Sequence, residues 1–175
     1  IGVDGISIPV IIQRISSISK NAKVIAVFSA PLTVVEGKHT SLTDVVLELG
    51  NRAKEGRTSD LIILKNTYEK ILELVSSEFQ DDCKKIIDDC LDKVRIELEK
   101  AMEKKEFSDE IRSKTLAYSG EILMSYVMEY ILQSQGIRSK AVRLENWPII
   151  TDNNIEYTNF VLSESNKRIE HLEKL

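Results

Sequence analysis

The stretch that decides the fold is Lys23-Val24-Ile25-Ala26-Val27-Phe28-Ser29. Its run of apolar, mostly β-branched residues is too short for a helix and is typical of a strand buried on both faces. A helix precedes it, because Ser7 can cap a helix that has Pro9 in its first turn and an apolar face up to Lys20. A helix that leads directly into such a strand predicts an α/β protein with a mostly parallel sheet.

Helical patterns dominate the middle of the chain. Residues 30–40 are polar and predict a loop, after which Ser41-Leu42-Thr43-Asp44 matches a capping box for a helix that ends near Gly50. From Asp60 to Lys105, two apolar stripes predict an antiparallel helical pair. The stripes comprise Leu61, Leu64, Tyr68, Ile71, Leu72 and Val75, and Cys83, Ile86, Ile87, Cys90, Leu91, Val94 and Leu98.

The last third of the chain mixes one long helix with short strands. Ser108 and Asp109 predict the start of a helix that runs through Glu121 to Gln135 and stops at Gly136. The elements predicted beyond it are strands at Lys140–Leu144, Trp147–Thr151 and Tyr157–Leu162, a turn at Asp152-Asn153-Asn154, and a final helix capped by Ser163.

Composition limits the classes of function. Lys and Arg number 24 against 28 Asp and Glu among 175 residues, so the net charge is −4. Interspersed charges of both signs argue against nucleic acid as the main partner. No apolar run approaches the roughly 18 residues of a membrane span and no leader resembles a signal peptide, so we expect a single soluble, cytoplasmic domain with no membrane partner.

Cysteine and histidine give no indication of a metal site. Cys83 and Cys90 lie seven residues apart, about two turns along one helical face, which is beyond disulfide reach. We therefore expect them to be reduced core residues. His39 and His171 have no neighbouring residues at metal-ligand spacing.

Tyr118-Ser119-Gly120-Glu121, in front of the apolar run at 122–132, is the strongest candidate for a binding site. Glycine in a helix costs roughly 1 kcal/mol relative to alanine, and a carboxylate contributes nothing to an apolar face. One interpretation is that Gly120 exposes backbone to a ligand whose cationic group binds Glu121. The other is that Gly120 lets two helices touch and that Glu121 is simply solvated.

Three further residues are candidates, each with an ordinary structural alternative. Ser29 ends the predicted strand, where α/β sheets collect ligands, but serine is also a common turn residue. Thr43 lies in the first turn of a predicted helix, where backbone N–H groups favour anions, or it belongs only to the cap. Asp152 could reach a ligand, or it could begin an ordinary Asp-Asn-Asn turn.

In order, four segments resemble the amino-terminal half of an aspartate kinase of the amino acid kinase family. They are Val24–Pro31, Ser41–Val46, Tyr118–Glu121 and Ile149–Asn154. The resemblance implies a three-layer αβα sandwich, with residues 60–105 as a helical insertion. The implied activity, in lysine, threonine and methionine biosynthesis, is transfer of the γ-phosphoryl group of ATP, with Mg²⁺, to the side-chain carboxylate of L-aspartate.

The same resemblance implies roles for individual residues. It makes Ser29 and Thr43 substrate contacts near the transferred phosphoryl group. It makes Glu121 the residue that holds aspartate, through the α-ammonium group, in agreement with the interpretation of the Gly-Glu pair above. Gly120 and Asp152 are weaker candidates.

The chain departs from the family pattern at three places. The family opens on a strand that ends Lys-x-Gly-Gly and neutralises phosphates, whereas this chain begins Ile1-Gly2-Val3-Asp4-Gly5, without that lysine. The connection Pro31–Thr40 is longer than usual, and the nucleotide-binding half and regulatory domains are missing after Leu175. We therefore expect residues 1–175 to be the amino-terminal portion of a catalytic domain. It would carry the aspartate side of the site, no assigned catalytic residue, and no activity alone.

Two other functions remain open. One is a degenerate kinase lobe that serves as a non-catalytic partner subunit or metabolite sensor. The other is a helical adaptor that uses the two stripes between Asp60 and Lys105. An unpaired sheet edge would in addition favour a homo-oligomer.

Overall fold

The structure, a computed structural model, describes residues 1–58, 60–143, 146–152 and 159–172. The chain divides into two units, Ile1–Ser139 and Lys140–Leu175. The helices are α1 (Ile8–Ser19), α2 (Leu42–Lys54), α3 (Ile62–Leu72), α4 (Ser77–Lys104), α5 (Asp109–Ser119), α6 (Glu121–Ser134) and α7 (Leu162–Leu172), and the strands are β1 (Leu32–Val35) and β2 (Lys38–Ser41). The protein is therefore α/β, with helices predominating. Within the described ranges, no helix is both long and apolar enough to cross a membrane.

The sheet differs from the predicted one. β1 and β2 pair antiparallel, with Leu32 opposite Ser41 and Val35 opposite Lys38, and they form the only sheet among the described residues. Parallel pairing is limited there to one bridge between Val3 and Leu32. The described residues thus do not form the predicted mostly parallel sheet of a three-layer sandwich.

The predicted buried strand at residues 23–29 is wrong. These residues belong to no strand, and Ile25 and Val27 are 94% and 90% exposed. A strand satisfies its backbone N–H and C=O groups only through a neighbouring strand, and no described residue provides one for residues 24–29. The apolar sequence indicated a segment that could be buried, but burial also requires a partner.

The predicted loop at residues 30–40 contains a hairpin instead. Glu36 and Gly37 have φ values of 49° and 76°, the backbone of a two-residue type I′ turn between β1 and β2. This turn matches the natural twist of the two strands it connects. The polar composition of the segment concealed a strand pair that the Glu-Gly dipeptide could have indicated.

α1 and α2 begin where the sequence predicts. Ser7 is the N-cap residue of α1, although its side chain makes no capping hydrogen bond. Ser41 caps α2, where its Oγ accepts a hydrogen bond from the N–H of Asp44 at 3.0 Å. α2 ends at Lys54, one turn beyond the predicted end at Gly50.

The core of the first unit lies around α4, which contacts α2, α3, α5 and α6. α3 and α4 correspond to the predicted helical pair, and both cysteines are free, buried thiols as predicted. The buried stripe residues are Leu64, Tyr68, Ile71, Val75, Cys83, Ile87, Cys90, Leu91, Val94 and Leu98. Because these side chains fill the core, the stripes cannot serve as the docking surface of a helical adaptor.

The helix predicted from Ser108 to Gln135 is broken at Gly120 into α5 and α6. A Cβ atom added at Gly120 would lie 3.0 Å from the Cβ of Ala30 and 3.3 Å from the carbonyl oxygen of Leu116. Glycine therefore lets residue 30 approach the break closely. The close contact predicted at Gly120 exists, but its partner is the segment before the hairpin rather than a second helix.

The second unit contains little regular structure before α7. Thr151 and Phe160 form an antiparallel bridge, and α7 starts at Leu162, one residue before its predicted cap. Residues 140–143 and 147–150 lie in no strand, so the first two predicted strands are wrong over these residues. Leu144, Asn153, Asn154 and Tyr157, on which other parts of the prediction fall, lie outside the described residues.

Candidate functional site

Ser29, Ala30 and Pro31 form a segment, the 29–31 segment, that joins the beginnings of two helices. The carbonyl oxygen of Pro31 accepts a hydrogen bond at 3.1 Å from the N–H of Leu42, the first residue of α2. Ala30 lies against Gly120, directly before α6. Ser29, Thr43 and Glu121 are each the immediate chain neighbour of a residue in one of these two contacts. Leu42 and Gly120, the chain neighbours of Thr43 and Glu121, thus contact the segment that contains Ser29.

Glu121 opens α6 and is exposed to solvent. Its carboxylate makes no hydrogen bond or ion pair with any residue in the described ranges. The first-turn position is itself favourable for an acidic side chain, because the backbone N–H groups of a helix start carry partial positive charge. The carboxylate is nevertheless open to a cationic group from outside the chain.

Thr43 is not needed for the cap of α2. Ser41 Oγ accepts from the N–H of Asp44 at 3.0 Å and donates to the Asp44 carboxylate at 2.8 Å, so the cap is made by these two residues. The half-buried Thr43 hydroxyl has no hydrogen-bond partner among the described residues, and neither has the exposed hydroxyl of Ser29. Of the two interpretations of Thr43, the structure therefore assigns capping to its neighbours and leaves the Thr43 hydroxyl available.

Tyr68 of α3 reaches the break between α5 and α6 from the core side. Its fully buried hydroxyl donates to the carbonyl oxygens of Ser119, at 2.8 Å, and Gly120, at 3.3 Å. Burial, and then the proximity of Cys90 and Glu121, hold the pKa of this hydroxyl well above its usual value, so it remains a donor. The sequence placed Tyr68 only in an apolar stripe. A tyrosine among leucines and isoleucines was a signal, because a buried hydroxyl needs a partner.

Asp152 is held within its own unit. Its carboxylate accepts hydrogen bonds from the backbone N–H of Asn159 at 3.1 Å and from the Asn159 side-chain amide at 2.7 Å. These bonds hold the carboxylate at Asn159, whereas the predicted Asp-Asn-Asn turn depends on Asn153 and Asn154, which lie outside the described residues.

The amino-terminal loop lies beside β1 and leads into α1. Gly2, Asp4 and Gly5 have positive φ values of 78°, 48° and 82°. Four amides here are used within the protein: Asp4 N–H donates to Leu32, Ile6 to Val3, Ser7 to Ile1 and Ile8 to Gly5, at 2.8 to 3.0 Å. These N–H groups are therefore not free to bind a phosphate group.

The side chain of Asp4 also opposes phosphate binding in this loop. Its carboxylate forms an ion pair with Lys70 at 2.6 Å and accepts a hydrogen bond from the hydroxyl of Thr33 at 3.2 Å. A carboxylate repels the phosphates of ATP, and the nearby lysine is already paired with it. The described loop therefore does not fit the nucleotide that the family resemblance implies.

Metal ions in proteins are held mostly by His, Cys, Asp and Glu side chains. Nowhere in the described ranges do three or more His, Cys, Asp or Glu side chains cluster in a way that could hold a metal ion. His39 is exposed on β2, and the side chain of His171 lies outside the described part.

Two surface depressions are lined by other residues. One, of about 340 Å³, lies between β1 and α3 near the Asp4–Lys70 ion pair, and another, of about 560 Å³, lies beside Phe107. Neither is lined by Ser29, Thr43 or Glu121.

The comparisons with known proteins leave the assignment to this geometry and to the sequence pattern. No protein-family model, no curated protein and no solved structure matches the chain.

Proposed function

We propose that this chain provides the amino-acid-binding side of an aspartate kinase and that it binds L-aspartate at the 29–31 segment. Glu121 would bind the α-ammonium group, and the hydroxyls of Ser29 and Thr43 would contact the ligand's carboxylate end. The observation that carries the proposal is the contact of one short segment with the starts of both α2 and α6.

The chemistry of the three side chains suits an amino acid. A free carboxylate forms charge-assisted hydrogen bonds with an ammonium group, and these are about twice as strong as neutral ones. Free hydroxyls at a helix start complement a carboxylate, since the N–H groups of the first turn favour negative charge. A ligand with an amine and two acidic groups, such as aspartate, can satisfy both ends at once.

The proposal separates binding from phosphoryl transfer. Transfer from ATP depends on positioning and on positive charge around the phosphates. The amino-terminal loop instead presents the Asp4 carboxylate, and the amides of Asp4, Ile6, Ser7 and Ile8 are already bonded. We therefore expect the chain alone to bind aspartate without turnover, and a coupled ADP-release assay with aspartate, ATP and Mg²⁺ measures this. Clear turnover would contradict the expected inactivity.

Calorimetric titration with L-aspartate and with succinate, which lacks the amine, tests the binding proposal. The wild-type chain should prefer L-aspartate, and Glu121→Gln should weaken aspartate binding about tenfold or more, because a charge-assisted hydrogen bond contributes about 1.5–3 kcal/mol. Succinate binding should change little, so the preference should disappear.

Glu78→Gln is the matched control. Glu78 is also an exposed acid in the first turn of a helix, α4, but that turn follows Ser76, whose N–H bonds Ser134 at the end of α6, whereas Glu121 is at the start of α6. This variant should keep the preference for L-aspartate. Loss of binding in both variants, or unchanged binding in Glu121→Gln, would contradict the assigned role.

A second candidate function is a degenerate lobe that senses aspartate as a non-catalytic partner subunit. The Asp4–Lys70 ion pair favours it, because it places a carboxylate in the loop where the kinase needs positive charge. In a sensor, ATP and Mg²⁺ would leave the affinity for aspartate unchanged. In an aspartate kinase, they would alter it.

The remaining expectations accompany either function. We propose a cytoplasmic location, since two free, buried cysteines suit a reducing compartment. We also propose a homo-oligomer, since the exposed apolar residues 24–28 have backbone groups available for pairing. Sedimentation velocity over a range of concentrations measures the oligomeric state.

A further inference from the structure

The Tyr68 hydroxyl donates hydrogen bonds to the carbonyls of Ser119 and Gly120 at the α5–α6 break. At this break, the Gly120 carbonyl accepts the first hydrogen bond of α6, from the N–H of Met124 at 2.8 Å. In the described residues, the Ser119 carbonyl has no backbone donor. The side-chain hydroxyl of Tyr68 donates to this carbonyl instead, at 2.8 Å.

This hydrogen bond replaces one that the break removes. In an unbroken helix, the Ser119 carbonyl would accept from the N–H of residue 123, but the turn at Gly120 prevents it. A buried carbonyl without a donor is costly, so the break is stable only with a donor from another element. Tyr68, which is fully buried on α3, is fixed by the core and can hold the break in one geometry.

The geometry of the break determines where Glu121 points. Glu121 follows Gly120 directly, and the other side of Gly120 is in contact with Ala30 of the 29–31 segment. The junction is thus fixed by the hydrogen bond from Tyr68 and by the close contact with Ala30. A change in either would rotate the start of α6 and move the Glu121 carboxylate.

We propose that Tyr68 is a positioning residue for Glu121: by holding the Ser119 and Gly120 carbonyls, it presents the Glu121 carboxylate to the amine of the ligand without touching the ligand. This inference rests on the proposed function, since it deepens the description of the same site. It adds a core residue, distant in sequence from every predicted site residue, to the determinants of amine recognition.

The test is a double-mutant cycle on L-aspartate affinity with Tyr68→Phe, Glu121→Gln and the combined variant. Tyr68→Phe should weaken binding about tenfold, since it leaves a buried carbonyl unbonded and lets the break move. In the Glu121→Gln background, the same change should alter the affinity less than about twofold. A role limited to overall stability would produce the same loss in both backgrounds and would overturn the proposal.

Thr67→Val is the matched control on the same helix. The Thr67 hydroxyl is also buried and donates to a backbone carbonyl, that of Ile63 at 2.8 Å, but it stays within α3. This variant should lower the unfolding temperature and leave aspartate affinity unchanged. If Tyr68→Phe does not fold, Gly120→Ala replaces it in the cycle with the same expectation. Its added Cβ would lie 3.0 Å from the Cβ of Ala30 and would shift the break.

Amide hydrogen exchange separates this inference from the proposed function. In the ligand-free protein, Tyr68→Phe should accelerate exchange at Gly120 and Met124 about tenfold or more, and Thr67→Val should not. If the wild-type chain fails to bind aspartate, the proposed function is wrong, and accelerated exchange still supports Tyr68 as the residue that fixes the junction. Unchanged exchange in Tyr68→Phe would overturn the positioning role whatever the ligand.

Discussion

The helical core, formed by α3 to α6, and the amino-terminal arm, formed by residues 20–28, both contain runs of apolar residues, but in opposite environments. In the helical core, Leu123, Val127 and Ile131 are completely buried. In the arm, Ile25 is 94% exposed and Val27 is 90% exposed. A helix satisfies its own backbone and needs only an apolar neighbour, whereas a strand also needs a hydrogen-bonding neighbour. The apolar faces of these helices therefore became core, and the apolar segment of the arm did not.

Truncation of matched isoleucines should give the largest difference between the two regions. Ile131→Ala should lower the free energy of unfolding by about 2–5 kcal/mol, because it leaves a cavity in a packed core. Ile25→Ala should change it by less than about 0.5 kcal/mol, because the side chain is already in water. Urea unfolding measures both, and a large loss in Ile25→Ala would show that the arm is buried in solution.

Thiol ionisation sharpens the same comparison. Burial raises the pKa of Cys83 from 9.0 to about 12. In the unfolded chain the thiol ionises near its ordinary value, so between pH 9 and about 12 the unfolded state binds fewer protons than the folded state. The stability associated with Cys83 is therefore complete below pH 9 and decreases as the pH rises through this range. Urea midpoints measured across it should fall less steeply for Cys83→Ala.

A cysteine placed in the arm provides the control for this prediction. With Ala26→Cys, the new thiol should react with iodoacetamide at pH 8.5 at the rate of a free thiol. The buried Cys83 and Cys90 should react far more slowly, since only the accessible thiolate is nucleophilic. Equal rates at the three positions would contradict the burial of the α4 thiols.

The ion pair between the amino-terminal loop and the helical core should give the smallest effect. Lys70 pairs with Asp4, and their side chains are 58% and 20% exposed. Lys70→Met should therefore cost less than about 1 kcal/mol, an effect that high salt reduces. Lys84→Met, which removes the exposed pair with Asp88 on α4, is the control. A much larger loss for Lys70→Met would mean that the loop contributes strongly to the core.

Sequence patterns identified the helices because their determinants are local. The Ser41–Asp44 capping box and the stripe at 83–98 each act over a few residues, and α2 and α4 form where they indicate. The break at Gly120 escaped this reasoning, since it depends on Ala30 and Tyr68, which are far away along the chain. The predicted strand at 23–29 is wrong for a related reason. Its apolar run is typical of a buried strand, but no described strand pairs with it.

The residues of the candidate site were likewise only partly predictable from the sequence. Residue type and position indicate Ser29, Thr43 and Glu121, and the chain neighbours of Thr43 and Glu121 contact the segment that contains Ser29. Tyr68 and the carboxylate of Asp4 were not assigned to any site, because their importance lies in hydrogen bonds to residues distant in sequence. Residue type indicated which side chains could bind a ligand. It did not indicate which groups fix the backbone beside them or which charges oppose a phosphate.

By itself, the sequence determined where α1 and α2 start and which helix faces are apolar, since caps and 3.6-residue periodicity act within a few turns. Only the tertiary structure decided which apolar segments found a partner, and that the starts of α2 and α6 meet at Ser29–Pro31. The physical reason is that hydrogen bonds of strands and contacts between helix ends join residues far apart in the chain, whose encounter no local pattern encodes.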